Sequence, residues 1–201
     1  MTGFDRFLMR KEWIAMILFV NACVRGKSRT LRLAKALLDR LGGDSEEVRL
    51  HEVDFPVADE AFLNKRDQLI AASDYDNTMF DLARQFAAAD QIVIAAPYWD
   101  LSFPAALKQY FEQINVLGIT FVYTPEGIPQ GLCKAQKLYY VTTAGGGYVP
   151  WDFGYGYVKA LAGLLRYSGN RVDSGHKPGH RRRGRRRNTC ASNGSNMKIH
   201  F

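Results

Sequence analysis

Two regimes of hydrophobic patterning alternate along this chain: short unbroken apolar runs, and longer stretches whose apolar residues return every three or four positions. The first pattern predicts buried strands and the second amphipathic helices. Met16 to Ala22 (MILFVNA) reads as a strand. Thr30 to Leu41 reads as a helix with Leu31, Leu33, Ala34, Leu37, Leu38 and Leu41 on one side and Gly42-Gly43 as its stop. Glu47 to Val53 alternates as a strand that includes His51, and a long connection with Asp54, Pro56 and Asp59 leads to a helix around Thr78 to Ala88. The strand Gln91 to Ala96, the helix Pro104 to Leu117, the strand Lys137 to Thr143 and a helical stretch around Tyr157 to Leu165 complete the series. This βαβαβαβα order predicts an α/β domain with an open parallel sheet covered by helices on both faces. After the third helix, ITFVYTPEGIPQGLCKAQK combines Pro and Gly turns with two short alternating runs, the pattern of a surface hairpin.

The chain has 201 residues, enough for one domain with a sizeable core. Its formal charge of +7 points toward nucleic acid or an anionic membrane only until the charge is located. After Leu165 there are ten Lys or Arg against the single acid Asp173, a net of +9, so the first 165 residues carry −2. The folded part is mildly acidic, and neither a nucleic-acid nor a membrane partner is expected of it. The arginine run RRRGRRR leaves a rival reading open, a tail that neutralises phosphates. Cys23, Cys133 and Cys190 show no metal-ligand spacing and form an odd set, which argues against a disulfide framework or a metal site and fits a reducing cytoplasm. The four histidines do not gather into a catalytic set, and no apolar run approaches the length of a spanning helix. The start of the chain lacks the pattern of a secretory leader.

Loops at the carboxyl ends of strands are where an open α/β sheet binds ligands. The first, Cys23-Val24-Arg25-Gly26-Lys27-Ser28-Arg29-Thr30, ends at a helix N-terminus, where unpaired N–H groups and the positive dipole end attract phosphate. Ser28 and Thr30 add hydroxyls there, and Arg25, Lys27 and Arg29 add charge; the same residues also fit a plain N-cap with solvated basic neighbours. Neither a Walker lysine motif nor GxGxxG is present, which favours a monophosphate over a triphosphate or a dinucleotide. The second loop, Pro97-Tyr98-Trp99-Asp100, carries aromatics that suit a planar ring system or, alternatively, packing beneath a long loop. The third, Thr142-Thr143-Ala144-Gly145-Gly146-Gly147-Tyr148, has glycines that admit close backbone approach to a flat ligand, or that simply make a turn. One phosphate-type loop, one aromatic loop and one glycine loop along a single sheet edge together suit a flavin mononucleotide.

On these residues the chain resembles the flavodoxin-like NAD(P)H-dependent oxidoreductases, the group of FMN-dependent NADH-azoreductases and quinone reductases. The resemblance runs from about Met16 to Leu164. It is carried by ILFVNACVRGKSRTLRLAKALL, APYWDLSFPAALKQYFEQI, the hairpin GITFVYTPEGIPQGL and VTTAGGGY. It implies FMN held by Ser28 and Thr30 at its phosphate, by Pro97, Tyr98, Trp99 and Asp100 along the isoalloxazine, and by Thr143, Ala144, Gly145 and Gly146 on the pyrimidine side. It further implies that Tyr98, Trp99 and Tyr148 shape the substrate slot, with Tyr155 and Tyr157 as weaker candidates. NADH or NADPH would donate hydride and a quinone, azo or nitroaromatic compound would accept the electrons in a two-step cycle. The flavin carries that chemistry, so no catalytic nucleophile is expected, and the family's usual homodimer is implied with it. The rival classes are a flavodoxin-like electron carrier or regulatory flavoprotein without its own turnover, and a nucleic-acid binder working through the tail.

The two ends do not match the middle. The tail from residue 166 to 201 has no apolar period and is expected to be disordered. Tyr167-Ser168-Gly169-Asn170 can be encoded TAT TCC GGA AAC, which one base later reads Ile-Pro-Glu-Thr. The same shift over Ser174 to Arg182 permits AGINLDID, a strand-and-turn pattern, in place of a segment that has none. The expectation is that a frameshift near Leu164 replaced the family's last strand and helix. At the other end, Arg10-Lys11-Glu12 can be written AGGAAGGAA, a ribosome-binding signal ahead of Met16, so residues 1–15 are expected to be a non-native extension and 16–165 the domain. Resequencing the gene is expected to return an open reading frame in the shifted register beyond Leu164; an unshifted frame across that point removes this account of the tail.

Overall fold

The computed structural model describes residues 15–146, 149–166, 190–192 and 195–200. Strand β1 (Ile17–Asn21) pairs in parallel with β2 (Ser45–Arg49) on one side and β3 (Gln91–Ala95) on the other, and β3 pairs in parallel with the fourth long strand of the domain (Lys137–Val141). Between β3 and that strand lie β4 (Phe121–Tyr123) and β5 (Pro129–Gly131), so the fourth long strand is β6. The registers are level: Ile17 faces Ser45 and Gln91, and Gln91 faces Lys137, so Asn21, Arg49, Ala95 and Val141 all end at one edge.

Burial explains the sheet. Every residue of β1 is buried, and β3 and β6 are buried along most of their length, as strands with helices on both sides must be. One face (Leu18, Val20, Ile92, Ile94, Tyr140) packs on α3 (Asp81–Ala88), α4 (Ala105–Ile114) and α5 (Phe153–Leu165) through Phe86, Leu107, Tyr110, Phe111, Ile114, Val158 and Leu161. The opposite face (Ile17, Phe19, Val93, Ala95, Tyr139, Val141) meets Ala34 and Leu37 of α1 (Arg29–Leu41). On the edge strand β2 only Val48 is buried; Ser45, Glu46 and Arg49 are exposed and Glu47 is half-buried.

The alternation read from the sequence is present, with differences at particular places. The connection after β2 contains α2 (Glu60–Ala71), which the apolar spacing did not announce. None of its residues is buried, so it has no apolar stripe to betray it; its start is written instead in Asp59, whose Oδ1 accepts from Phe62 N at 2.8 Å. The second strand stops at Arg49 rather than Val53, and His51 lies in a turn closed by Glu52 N to Arg49 O at 2.9 Å, not in a strand. Helix α4 ends at Ile114, where Val116 turns back to pack against Phe80 and Ala83. The expected hairpin is β4 and β5, antiparallel with Val122 opposite Gln130 and a turn at Gly127, whose φ of 77° is left-handed. In the tail, where no structure was expected, β7 (Cys190–Ser192) and β8 (Ser195–His200) form an antiparallel pair, and β8 lies antiparallel to β6. The remainder of the tail and the N-terminal extension up to residue 14 lie outside the described residues. Among the described residues no helix is long and apolar enough to cross a membrane.

Candidate functional site

At the level edge of the sheet, the loops after β1, β3 and β6 enclose a cleft of about 370 Å³ lined by residues from all three. The loop after β1 contributes Cys23, Arg25, Lys27, Ser28 and Thr30; the loop after β3 contributes Pro97, Tyr98 and Trp99; the loop after β6 contributes Thr143 and Gly145. The segments that the sequence singled out thus meet in one place, and the volume is that of a small-molecule site. A second cleft of about 220 Å³ lies at the opposite end of β6, between Leu138, Leu165 and Phe86. It touches none of these loops.

The first loop leads into α1 through Ser28, whose Oγ accepts from Leu31 N at 3.4 Å as an N-cap. The hydroxyl of Thr30 is buried and 2.7 Å from the hydroxyl of Thr143, so Thr30 ties the phosphate-type loop to the glycine loop rather than opening into solvent. Arg29 makes a second tie, donating from Nη2 to Ala144 O at 2.8 Å. Arg25 and Lys27 are exposed on the cleft wall and have no carboxylate partner among the described residues. With the dipole end of α1 they make the first wall electropositive, and no carboxylate lines the cleft.

The second wall depends on a strained turn. Trp99 and Ser102 exchange both backbone hydrogen bonds, 3.2 and 2.7 Å, around a two-residue turn in which Asp100 (φ 48°) and Leu101 (φ 67°) are both left-handed. Such a turn prefers Asn-Gly, and an L-residue held there costs about 1–2 kcal/mol. Tyr98 is fixed by Tyr98 N to Thr143 O at 3.1 Å and by its hydroxyl donating to Trp151 O at 2.7 Å, so it presents its ring rather than a free hydroxyl. Asp100 sits exposed at the tip of the turn and does not line the cleft. On the third wall, a Cβ added at Gly145 or Gly146 would meet no protein atom within 4 Å, which leaves that backbone open to an occupant. Tyr148 lies outside the described residues.

The remaining candidates have other work. Tyr157 stacks on Phe111 (5.6 Å, 28°) and meets Phe103 edge-on, a packing role away from the cleft lining. Tyr155 packs against the main core. Burial pushes the Cys23 thiol up from its ordinary pKa and the Cys133 thiol up to about 12, so both are held as thiols near neutral pH. Among the described residues no three His, Cys, Asp or Glu side chains gather as a metal site. Sequence reading passed over Asn21 and Glu47, which stand behind the first loop; the only signal was a polar residue closing an otherwise apolar run.

The family described as having a flavodoxin-like fold matches residues 15–172. The FMN-dependent NADH:quinone oxidoreductase of Clostridium perfringens (strain SM101 / Type A) is 34% identical over 161 residues, covering 76% of this chain and 81% of that protein. The protein of the same name from Lachnoclostridium phytofermentans is 35% identical over 165 residues, covering 77% and 82%. Among solved structures, an azoreductase from Bacillus anthracis str. Sterne superposes with a TM-score of 0.66 at 25% identity, covering 77% of this chain and 83% of that one.

The turn at Asp100-Leu101 yields a direct test. Replacing the pair by Asn-Gly is expected to raise unfolding free energy by about 1 kcal/mol, read in urea denaturation, because the left-handed strain is relieved. An unchanged or lowered midpoint means that the leucine side chain earns its conformation through contacts.

Proposed function

Because this chain belongs to the flavodoxin-like fold family, we propose that the cleft at its sheet edge holds FMN and that the protein is an FMN-dependent NAD(P)H oxidoreductase of the quinone reductase and azoreductase type. The observation that carries this reading is the convergence of a cationic loop, an aromatic loop and a glycine loop on one cleft without a carboxylate in its lining. The fit is chemical. Arg25, Lys27 and the N–H groups at the start of α1 suit a phosphate monoester, with Ser28 Oγ able to accept or donate beside them. Pro97, Tyr98 and Trp99 suit one side of a planar ring, and the open backbone at Gly145 and Gly146 suits its polar edge.

When bound, FMN supplies two-electron chemistry, taking hydride from NADH or NADPH and passing the electrons to a quinone, azo or nitroaromatic compound that uses the same slot in turn. The chain itself binds and orients. Thr30 with Thr143 and Arg29 with Ala144 hold the first and third walls at a fixed separation. Tyr98, anchored to Trp151, shapes the slot, and Trp99, 42% exposed, stands at its mouth. Tyr148 belongs to the same slot in this proposal, by its place in the third loop. With no carboxylate or histidine in the lining, the residues act by position and by positive charge.

A carrier without turnover is the competing reading. Purified protein is expected to be yellow, to bind FMN at micromolar concentration or tighter, and to oxidise NADH when menadione is supplied. Replacing Arg25 and Lys27 together by Ala is expected to weaken FMN binding about tenfold or more. Flavin bound without NADH oxidation returns the protein to the carrier class, and a colourless protein that takes up no FMN ends the proposal.

We also propose a homodimer in the cytoplasm, with residues 16–165 as the functional domain and the segment after it a product of the shifted frame. Exposed Trp99, Leu101, Trp151 and Phe153 support the dimer: they belong to segments joined by Phe153 N to Leu101 O at 3.1 Å and by the Tyr98 hydroxyl to Trp151 O, and Trp99 among them lines the cleft. Sedimentation at micromolar concentration is expected to give a dimer that Phe153→Glu dissociates; a wild-type monomer overturns it.

A further inference from the structure

Where β1 ends, its last side chain turns the loop. Asn21 is 2% exposed, and its Oδ1 accepts from Cys23 N at 2.9 Å, which bends the chain out of the sheet at the first residue of the cleft wall. Its Nδ2 donates to Glu47 Oε1 on β2 at 2.7 Å, and Glu47 is held in turn by Arg49 Nε at 3.2 Å. The backbone around it belongs to the sheet: Leu50 N donates to Asn21 O at 2.9 Å and Ala22 N to Ala95 O at 2.8 Å. Cys23 N is thus the first amide to leave the ladder, and a side chain rather than a strand receives it. The amide's orientation is determined by its partners, since an N–H must meet an oxygen and a carboxylate must meet a donor.

We propose that Asn21 and Glu47 are the positioning pair of the phosphate-binding loop: the edge-strand carboxylate orients the Asn21 amide, and that amide sets the path of Cys23 to Ser28 so that Arg25, Lys27 and the α1 N-terminus face one phosphate. This rests on the FMN reading above. Neither residue touches the cleft; both act through the loop. The pair explains why a buried amide stands at the end of a strand whose other residues are all apolar, and why the largely exposed strand β2 turns one carboxylate inward. A carboxylate acceptor makes the hydrogen bond to it stronger than a neutral one, so the amide has one orientation and the loop one path.

The test exchanges donor and acceptor. Asn21→Asp keeps the acceptor for Cys23 N–H but sets a second carboxylate oxygen against Glu47, and FMN affinity, read by quenching of flavin fluorescence, is expected to fall about tenfold. Adding Glu47→Gln restores a hydrogen bond of reversed polarity, and the double variant is expected to bind within about threefold of wild type. Amide hydrogen exchange at Cys23 in the flavin-free protein should follow the same order: slow in wild type, fast in Asn21→Asp, slow again in the double variant. A thermal melt of each variant separates loop displacement from loss of fold. If Asn21→Asp does not fold, the double variant and Glu47→Ala carry the test, the latter at a partly exposed edge position and expected to weaken binding about threefold. Asn21→Asp binding like wild type, or a double variant no better than Asn21→Asp, overturns the inference. A wild-type protein that binds no FMN, with Cys23 exchange still following the pair, leaves the pair as the loop's anchor and overturns instead the flavin reading and this loop's purpose.

Discussion

The parallel register of β1, β3 and β6 is the constraint on which everything at the cleft depends. Each of these strands is buried from both sides, so a slip by one residue would exchange the face that meets α1 for the face that meets α3, α4 and α5. The two faces are not interchangeable. One carries Leu18, Val20, Ile92 and Ile94 into a layer of large aromatics, and the other carries Ile17, Phe19, Val93 and Ala95 onto the small and branched residues Ala34 and Leu37 of one helix. With register locked by packing, Asn21, Ala95 and Val141 end level and the next residue of each strand begins a loop on the same side. The convergence of three loops is a consequence of core packing, not of attraction between the loops.

What the loops add is rigidity at that edge. The Thr30 and Thr143 hydroxyls, the Arg29 guanidinium on Ala144 O and the Tyr98 hydroxyl on Trp151 O connect residues more than fifty positions apart. Each such bond is worth about 1 kcal/mol net, comparable to the strain that the Asp100-Leu101 turn imposes. The turn persists because its flanking residues are held on both sides, by the Trp99 and Ser102 pair and by Phe153 N on Leu101 O. A strained, over-determined turn beside a cleft is a common way to fix an aromatic side chain where a ligand needs it. The cations work differently: Arg25 and Lys27 have no partner to neutralise them among the described residues, so the field they create is available to an anion.

Much of this was legible before any coordinates. The buried strands announced themselves because a strand covered on two faces is apolar at every position, and α1 because an amphipathic helix repeats its leucines at the helical period. The three loops could be placed on one edge because parallel strands joined by helices all end on the same side. Helix α2 escaped for the complementary reason: an exposed helix needs no apolar stripe, and periodicity cannot find what burial did not select. For Thr30 the sequence records that a hydroxyl is present but not which way the helix points it, and the fold sets it 2.7 Å from the hydroxyl of Thr143.

The sequence by itself determined the α/β alternation, the helix caps, the concentration of net positive charge in the tail, and the chemical kinds of the three cleft walls. These are local properties, carried by side-chain type and spacing within a few residues. The tertiary structure alone decided that Asn21 meets Glu47, that Arg29 reaches Ala144, and that Tyr98, a residue of the cleft lining, anchors to Trp151. Those pairings join residues far apart in the chain, and no local pattern encodes a distance that exists only once the sheet has brought its strands into register.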